Sequence, residues 1–193
     1  MRIKTLFALL VDNAVHNFSR KLAFDINCKY NTGMIAARLP QHVSLGPGFE
    51  IDVLELYRVK QFLESIAKTI KPFKIQFKRI SLKVVPNDHD GLGIIWMDVQ
   101  ESKELQELHE RLYSEISSFG WKMNWLSGEK YLFHSTISYG GQLANKYQEI
   151  YNDLPEKNID LTSNVEQIAI FCPPDDQNVP GTYITYKILQ LGI

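Results

Sequence analysis

One order of elements occurs twice in this chain of 193 residues, and it limits the fold more than any other feature. Each half reads as an apolar strand, an amphipathic helix, a strand carrying a histidine, a break containing glycine, a second helix and two strands. The first half opens with the apolar run 3–11 and a helix within 13–30, where Val15, Phe18, Leu22 and Ile26 recur at helical spacing. Residues 34–49 are expected to be extended, because Pro40 excludes helix and Gly46-Pro47-Gly48 closes the segment as a turn. A helix over 51–70 follows, with Asp52 as N-cap and Val53, Leu56, Leu63, Ile66 and Ile70 as its apolar stripe. Segments 73–77 and 80–85 alternate as short strands, and a slip of phase at Lys78-Arg79 marks a tight turn or a bulge between them. After a loop over 87–91 the order begins again. It runs through strand 92–99, a helix over 101–120 with Leu105, Leu108, Leu112 and Ile116 on one face, and strand 131–138. Gly140-Gly141 breaks that strand, a helix over 142–154 follows, and two strands lie within 165–172 and 182–191. The repeat implies duplication of a βα-rich unit, about 1–86 and 91–193, inside a single domain spanning 1–193.

Charge narrows the partners. The formal net charge is −1, so no global basic field exists to grip long nucleic acid, whereas a small anion or an RNA terminus still fits a locally positive pocket. Cys28 and Cys172 stand far apart without CxxC spacing, which favours free thiols in a reducing cytosol over a disulfide framework or a zinc site. The opening run is short and interrupted by Asp12, and no small-residue cleavage site follows cleanly. It reads as a first strand rather than a secretion signal. No apolar run is long enough to span a membrane, and a cytoplasmic monomer is expected.

The chemistry sits on the two histidine strands. His42-Val43-Ser44-Leu45 and His134-Ser135-Thr136-Ile137 share the pattern His-x-[Ser/Thr]-apolar at corresponding points of the repeat. A strand turns alternate side chains to one face, so His42 with Ser44, and His134 with Thr136, share a side. A lone histidine in a strand is most simply a hydrogen-bonded core residue, and a lone His-x-[Ser/Thr] is no signal. Two at matched positions are a different matter, because His16, His89 and His109 lack the pattern. Two imidazoles facing each other can act as base and acid in one step, since histidine titrates close to operating pH. The hydroxyls two residues on can donate hydrogen bonds to an oxyanion held between them. A phosphodiester suits such a site.

These paired tetrapeptides, about 90 residues apart, resemble the signatures of the 2H phosphoesterase superfamily, which includes RNA 2′,3′-cyclic phosphodiesterases, also called 2′-5′ RNA ligases. The setting Arg38-Leu39-Pro40-Gln41 before the first motif is similar to the family's usual extended lead-in. The resemblance implies a bilobal α+β protein of two pseudo-symmetric lobes, with antiparallel sheets around a central cleft. It implies action without metal or cofactor on RNA 2′,3′-cyclic phosphate ends, 2′-5′ linkages or a small nucleotide phosphodiester. His42 and His134 would be the acid–base pair, and Ser44 and Thr136 the phosphate-binding hydroxyls. Two departures stand out: Ser135 occupies a slot that is usually more apolar, and no basic residue follows the second motif.

Other candidates flank the motifs. Tyr139 and Phe49 are placed to stack on a base or to pack at strand ends, and Arg38 and Lys130 to neutralise phosphate or to be solvated. Trp121 and Trp125 either line the cleft or close the second lobe. Two rival readings use the same residues. One is a module that binds a nucleotide or RNA end without turnover, which would have no need of two proton-transfer groups. The other is a metal site on His42 and His134, which would need further ligands that neither motif supplies.

Overall fold

The computed structural model describes residues 1–85, 92–123, 131–176, 179 and 181–193. The elements are β1 (Arg2–Leu10), α1 (Asn13–Tyr30), β2 (His42–Ser44), β3 (Phe49–Asp52), α2 (Leu56–Ala67), β4 (Phe73–Val85) and β5 (Leu92–Val99). They continue with α3 (Lys103–Ser118), β6 (Lys122–Met123), β7 (His134–Tyr139), α4 (Ala144–Asn152), β8 (Asn158–Val165), β9 (Gln167–Cys172) and β10 (Ile184–Gln190). Among the described residues no helix is long and apolar enough to cross a membrane.

Local chemistry explains most boundaries. The Asp12 carboxylate accepts from the Ala14 and Val15 amides and starts α1, and Asn31 ends it in the left-handed conformation. Ser102 caps α3 in the same way as Asp12, through the Leu105 amide. The expected single helix over 51–70 is shorter. Phe49–Asp52 pairs with Arg2–Thr5 as a strand, Asp52 caps a 3₁₀ turn over Val53–Glu55, and α2 begins only at Leu56. The segment expected to be extended over 34–49 contains a 3₁₀ turn, Ile35–Arg38, ahead of Pro40. The phase slip at Lys78-Arg79 is a bulge inside one continuous strand of 13 residues, not a turn between two. The loop expected over 87–91 lies outside the described residues.

Two antiparallel sheets result. Sheet I has the order β10-β9-β1-β3-β6 with β2 also paired to β1, and sheet II has the order β7-β5-β4-β8. Read outward from the histidine strands, sheet I runs β2-β1-β9-β10 and sheet II runs β7-β5-β4-β8, so the two repeat one order. The halves of the chain are interlaced between them. Strand β4, from the first half, sits in sheet II, while β9 and β10, from the second, complete sheet I. Helix α1 packs against β7 and β8, and α2 against β10. Asp12 joins the two sheets directly, its amide donating to Ser163 Oγ at 2.7 Å and its Oδ2 accepting from the Asn164 amide at 2.9 Å.

Strand β1 is buried on both faces, which accounts for its near-continuous apolar sequence. Ile3, Phe7 and Leu9 face the main core with Val43, Leu45, Phe49 and Phe62. Leu6, Ala8 and Leu10 face the other way, against Ala169, Phe171, Leu39 and Tyr183.

β2 and β7 belong to different sheets, so no ladder links them. Side chains do so instead. Ser135 Oγ donates to the His42 carbonyl at 2.7 Å, and Gln41 Nε2 donates to Ser135 Oγ at 2.7 Å and to the Thr136 carbonyl at 2.8 Å. Ser135 is fully buried and Gln41 nearly so. This explains the polar residue at position 135. Replacing Ser135 with Ala strands the Gln41 amide and the His42 carbonyl without their partner, and should lower stability by about 1–3 kcal/mol. Urea unfolding of the two proteins checks this. An unchanged midpoint would mean that water or repacking replaces the clasp.

Candidate active site

The β1–β2 ladder sets His42 opposite Leu10 and Ser44 opposite Ala8, with Val43 turned into the main core. The β5–β7 ladder sets His134 opposite Asp98 and Thr136 opposite Trp96, with Ser135 and Ile137 buried on the other face. Each histidine thus shares a face with the hydroxyl two residues on, as strand alternation predicts.

Both imidazoles are anchored alike. His42 Nδ1 lies 2.8 Å from the carbonyl oxygen of Pro40, and His134 Nδ1 lies 2.7 Å from that of Leu132. A carbonyl only accepts, so each Nδ1 carries the hydrogen and the neutral ring keeps Nε2 as its basic nitrogen. The rings rest on aromatic side chains. His42 meets Phe171 edge-on at 4.7 Å between centroids, and His134 lies 4.5 Å from Trp96.

Burial lowers both histidines below their ordinary range. His42 falls to about 4: desolvation dominates, the Pro40 bond opposes it, and the charges of His134 and Arg20 add to it. His134 is also lowered, first by desolvation, with the Leu132 bond opposing it, Lys83 lowering it further and Asp98 raising it. The charge of His134 acts on His42 among these causes, and Ser135 and Gln41 bind the two histidine strands together from the buried side.

A cavity of about 340 Å³ opens beside His42, lined by His42, Thr136, Tyr139, Tyr183, Arg38 and Lys4 together with aliphatic side chains and, among the described residues, by no acidic one. Arg38 Nη1 donates to the Gly181 carbonyl at 3.2 Å, which ties the loop before β10 to the cavity rim. Gly141, just after β7, has φ +70°, and a Cβ there would lie 2.2 Å from the Thr32 carbonyl oxygen. Only glycine therefore lets β7 end against the chain leaving α1.

The candidate residues separate clearly. His42, Thr136, Tyr139 and Arg38 line one cavity, and Ser44 and His134 stand on the same faces as His42 and Thr136. Phe49 does not reach it. It is 2% exposed, stacked on Trp121 at 5.4 Å and tilted against Phe7 at 5.0 Å, because β3 turns it toward the helix side of sheet I. Trp121 belongs to that same core, while Lys130 and Trp125 lie outside the described residues. His109 is structural, its Nδ1 bonded to the Leu45 carbonyl at 2.8 Å. Cys28 is exposed and Cys172 buried, and both are free thiols. Among the described residues no three His, Cys, Asp or Glu side chains converge as a metal-ligand set. Sequence reading missed Trp96, Asp98, Lys83, Arg20 and Tyr183. The one visible sign was a carboxylate, Asp98, inside the otherwise apolar run 92–99.

Two antiparallel sheets, one carrying His42 and Ser44 on a single face and the other His134 and Thr136, define an α+β class. The chain belongs to the 2′-5′ RNA ligase superfamily, whose family model matches residues 12–173. A protein of Geobacillus sp. (strain WCH70), named provisionally as a phosphoesterase, is 24% identical over 159 residues, 81% of each chain. A similarly named protein of Halalkalibacterium halodurans is 27% identical over 157 residues, covering 80% of this chain and 81% of that one. In fold, the chain matches the crystal structure of TT0787 of Thermus thermophilus with a TM-score of 0.64, at 13% identity over 98% of both chains. It matches Escherichia coli LigT complexed with NADP⁺ with a TM-score of 0.62, at 13% identity over 100% of both. Against LigT complexed with 3′-AMP the TM-score is 0.60, at 13% identity over 99% of both.

The state of His42 has a consequence for stability. Folded, it titrates at about 4, whereas an unfolded histidine titrates near 6.5, so the unfolded chain binds a proton that the folded chain refuses. This stabilisation is present above the unfolded value and is lost as pH falls from about 6.5 toward about 4. The urea midpoint should therefore drop across that window, and less steeply in His42→Gln. Equal slopes in the two proteins would assign the acid sensitivity to other groups.

Proposed function

We propose that the chain is a metal-independent phosphodiesterase that opens 2′,3′-cyclic phosphate ends, or cleaves 2′-5′ linkages, of RNA, oligonucleotides or small nucleotides. The observation that carries this reading is the matched pair of Nδ1-anchored histidines, each followed by a hydroxyl on the same face, with His42 and Thr136 lining a cavity that has two cationic side chains and, among the described residues, no carboxylate. The phosphoesterase names of the relatives and the nucleotides complexed with LigT support it.

In this reading one histidine, neutral at Nε2, takes a proton from water as its oxygen attacks phosphorus. The other, protonated, gives its proton to the ribose oxygen as the P–O bond breaks. The bound phosphate favours the protonated ring, offsetting the lowering that burial imposes. Ser44 and Thr136 donate to the non-bridging oxygens, and Arg38 adds positive charge at the rim. Tyr139 and Tyr183 offer aromatic faces to the base. The chain is read as a cytoplasmic monomer whose ligand is a nucleotide or an RNA end.

The test is hydrolysis, in excess EDTA, of a short oligonucleotide ending in a 2′,3′-cyclic phosphate, beside a mononucleoside 2′,3′-cyclic phosphate. Turnover should persist in the chelator, and His42→Ala and His134→Ala should each reduce it by about 10²–10⁴-fold with unchanged circular dichroism. Since kcat/KM reports the free protein, its pH profile should be bell-shaped, with the optimum on the acid side of neutrality. Tight nucleotide binding without turnover by folded protein would replace the enzyme reading with a binding module.

A further inference from the structure

The two histidines share an anchor but not a neighbour. Across the ladder from His42 and Ser44 stand Leu10 and Ala8, whereas across from His134 and Thr136 stand Asp98 and Trp96. The two ladders therefore place a carboxylate opposite His134 and an apolar side chain opposite His42. Cross-strand partners share a face, so Asp98 and Trp96 lie on the cleft side of sheet II. Trp96 is 7% exposed, and its ring is 4.5 Å from that of His134. The Asp98 carboxylate fixes that indole. Oδ1 accepts from Trp96 Nε1 at 2.6 Å, and Oδ2 accepts from Ser81 Oγ at 2.5 Å and Arg79 Nε at 2.9 Å. Burial pushes the Asp98 carboxyl up, but the donors Ser81, Trp96 and Arg79 outweigh it and keep the group below the usual carboxylate range, hence ionised at neutral pH.

We propose that Asp98 is a positioning residue for His134: it seats the Trp96 indole against the imidazole and holds a carboxylate across the ladder from it, so that His134 carries the proton into the reaction and His42 receives one. The proposal rests on the paired-histidine reading above and assigns its two roles. Water gives a proton to His42 Nε2 and forms the new P–O bond. The bond from phosphorus to the ribose oxygen breaks with its electron pair on that oxygen, which takes the proton from His134 Nε2. Solvent then removes the proton from His42 and returns one to His134. The charged groups facing His134 fit this order. Asp98 on β5 favours its protonated form, while Lys83 on β4 opposes it, and Arg79 on β4 is spent on Asp98. Among the described residues no carboxylate acts on His42 of β2, and the Arg20 cation of α1 does.

The experiment is an NMR titration of the histidine ring resonances in substrate-free protein, assigned with His134→Gln, run beside kcat and KM for a mononucleoside 2′,3′-cyclic phosphate. Asp98→Asn should move the His134 midpoint to lower pH and move it more than that of His42. It should lower kcat by about tenfold or more with KM within about twofold, and Asp98→Glu should restore part of kcat. Arg79→Gln, at an exposed side chain, should move the His134 midpoint the opposite way by freeing the carboxylate from its partner. Unmoved His134 midpoints in both Asp98→Asn and Arg79→Gln would overturn the proposal, as would wild-type kcat in Asp98→Asn. If the unaltered protein turns over no cyclic phosphate, the phosphodiesterase reading fails by itself, and the titration still decides whether Asp98 acts on His134.

Discussion

Three side-chain hydrogen bonds hold the two histidine strands at a fixed distance, and the paired site depends on them. Among the described residues β2 ladders only with β1 and β7 only with β5, so no backbone pairing there sets one histidine relative to the other. Ser135, Gln41 and the His42 carbonyl supply that missing constraint from the buried side of the strands. The proposed acid–base reaction at one phosphorus would tolerate little drift, since a displacement of about 1 Å can cost about 10²-fold. The alternation of β7 thus serves two purposes: His134 and Thr136 share one face, and Ser135 between them bonds the other face to β2.

The four motif residues were legible because two regularities intersect on them. Strand alternation pairs each histidine with the residue two on, and the repeat marks His42 and His134 out from the other histidines. Their surroundings were not legible in the same way. Trp96 and Asp98 meet β7 through a register that a bulge between Ile95 and Trp96 shifts, and no local pattern announces such a shift. β8 escaped notice because Ser163 takes an inward position between Leu161 and Val165, blurring the apolar alternation of an edge strand. Phe49 was ambiguous for a simpler reason. The segment after Gly48 looked like a turn leading into a helix, whereas its backbone pairs with β1 and so turns the ring into the core.

The two histidine strands agree in how each ring is anchored and differ in what supports it. Both histidines donate Nδ1–H to the carbonyl two residues earlier, which fixes the same tautomer on each side. The supports beneath them differ, with Phe171 and Leu10 on one side and Trp96 with its bonded carboxylate on the other. The cavity is equally one-sided, gathered around His42 and Thr136 rather than centred on the cleft. The surfaces around the two histidines are thus chemically distinct, although the order of strands that leads to each is the same.

The interlacing of the halves governs when this fold can come into being. Residues Leu6–Leu10 of β1 pair with Gln167–Phe171 of β9, so the central strand of sheet I keeps an open edge until the far end of the chain has emerged from the ribosome. Helix α1 waits in the same way for β7 and β8. Contacts so distant in sequence slow folding, because a long loop must close before they return any stabilisation. In the interval a strand apolar on both faces is exposed with unpaired amides, the form in which a nascent chain is most prone to aggregate. The strand order that interlaces the two ends of the chain therefore lengthens the interval during synthesis in which β1 lacks its β9 partner.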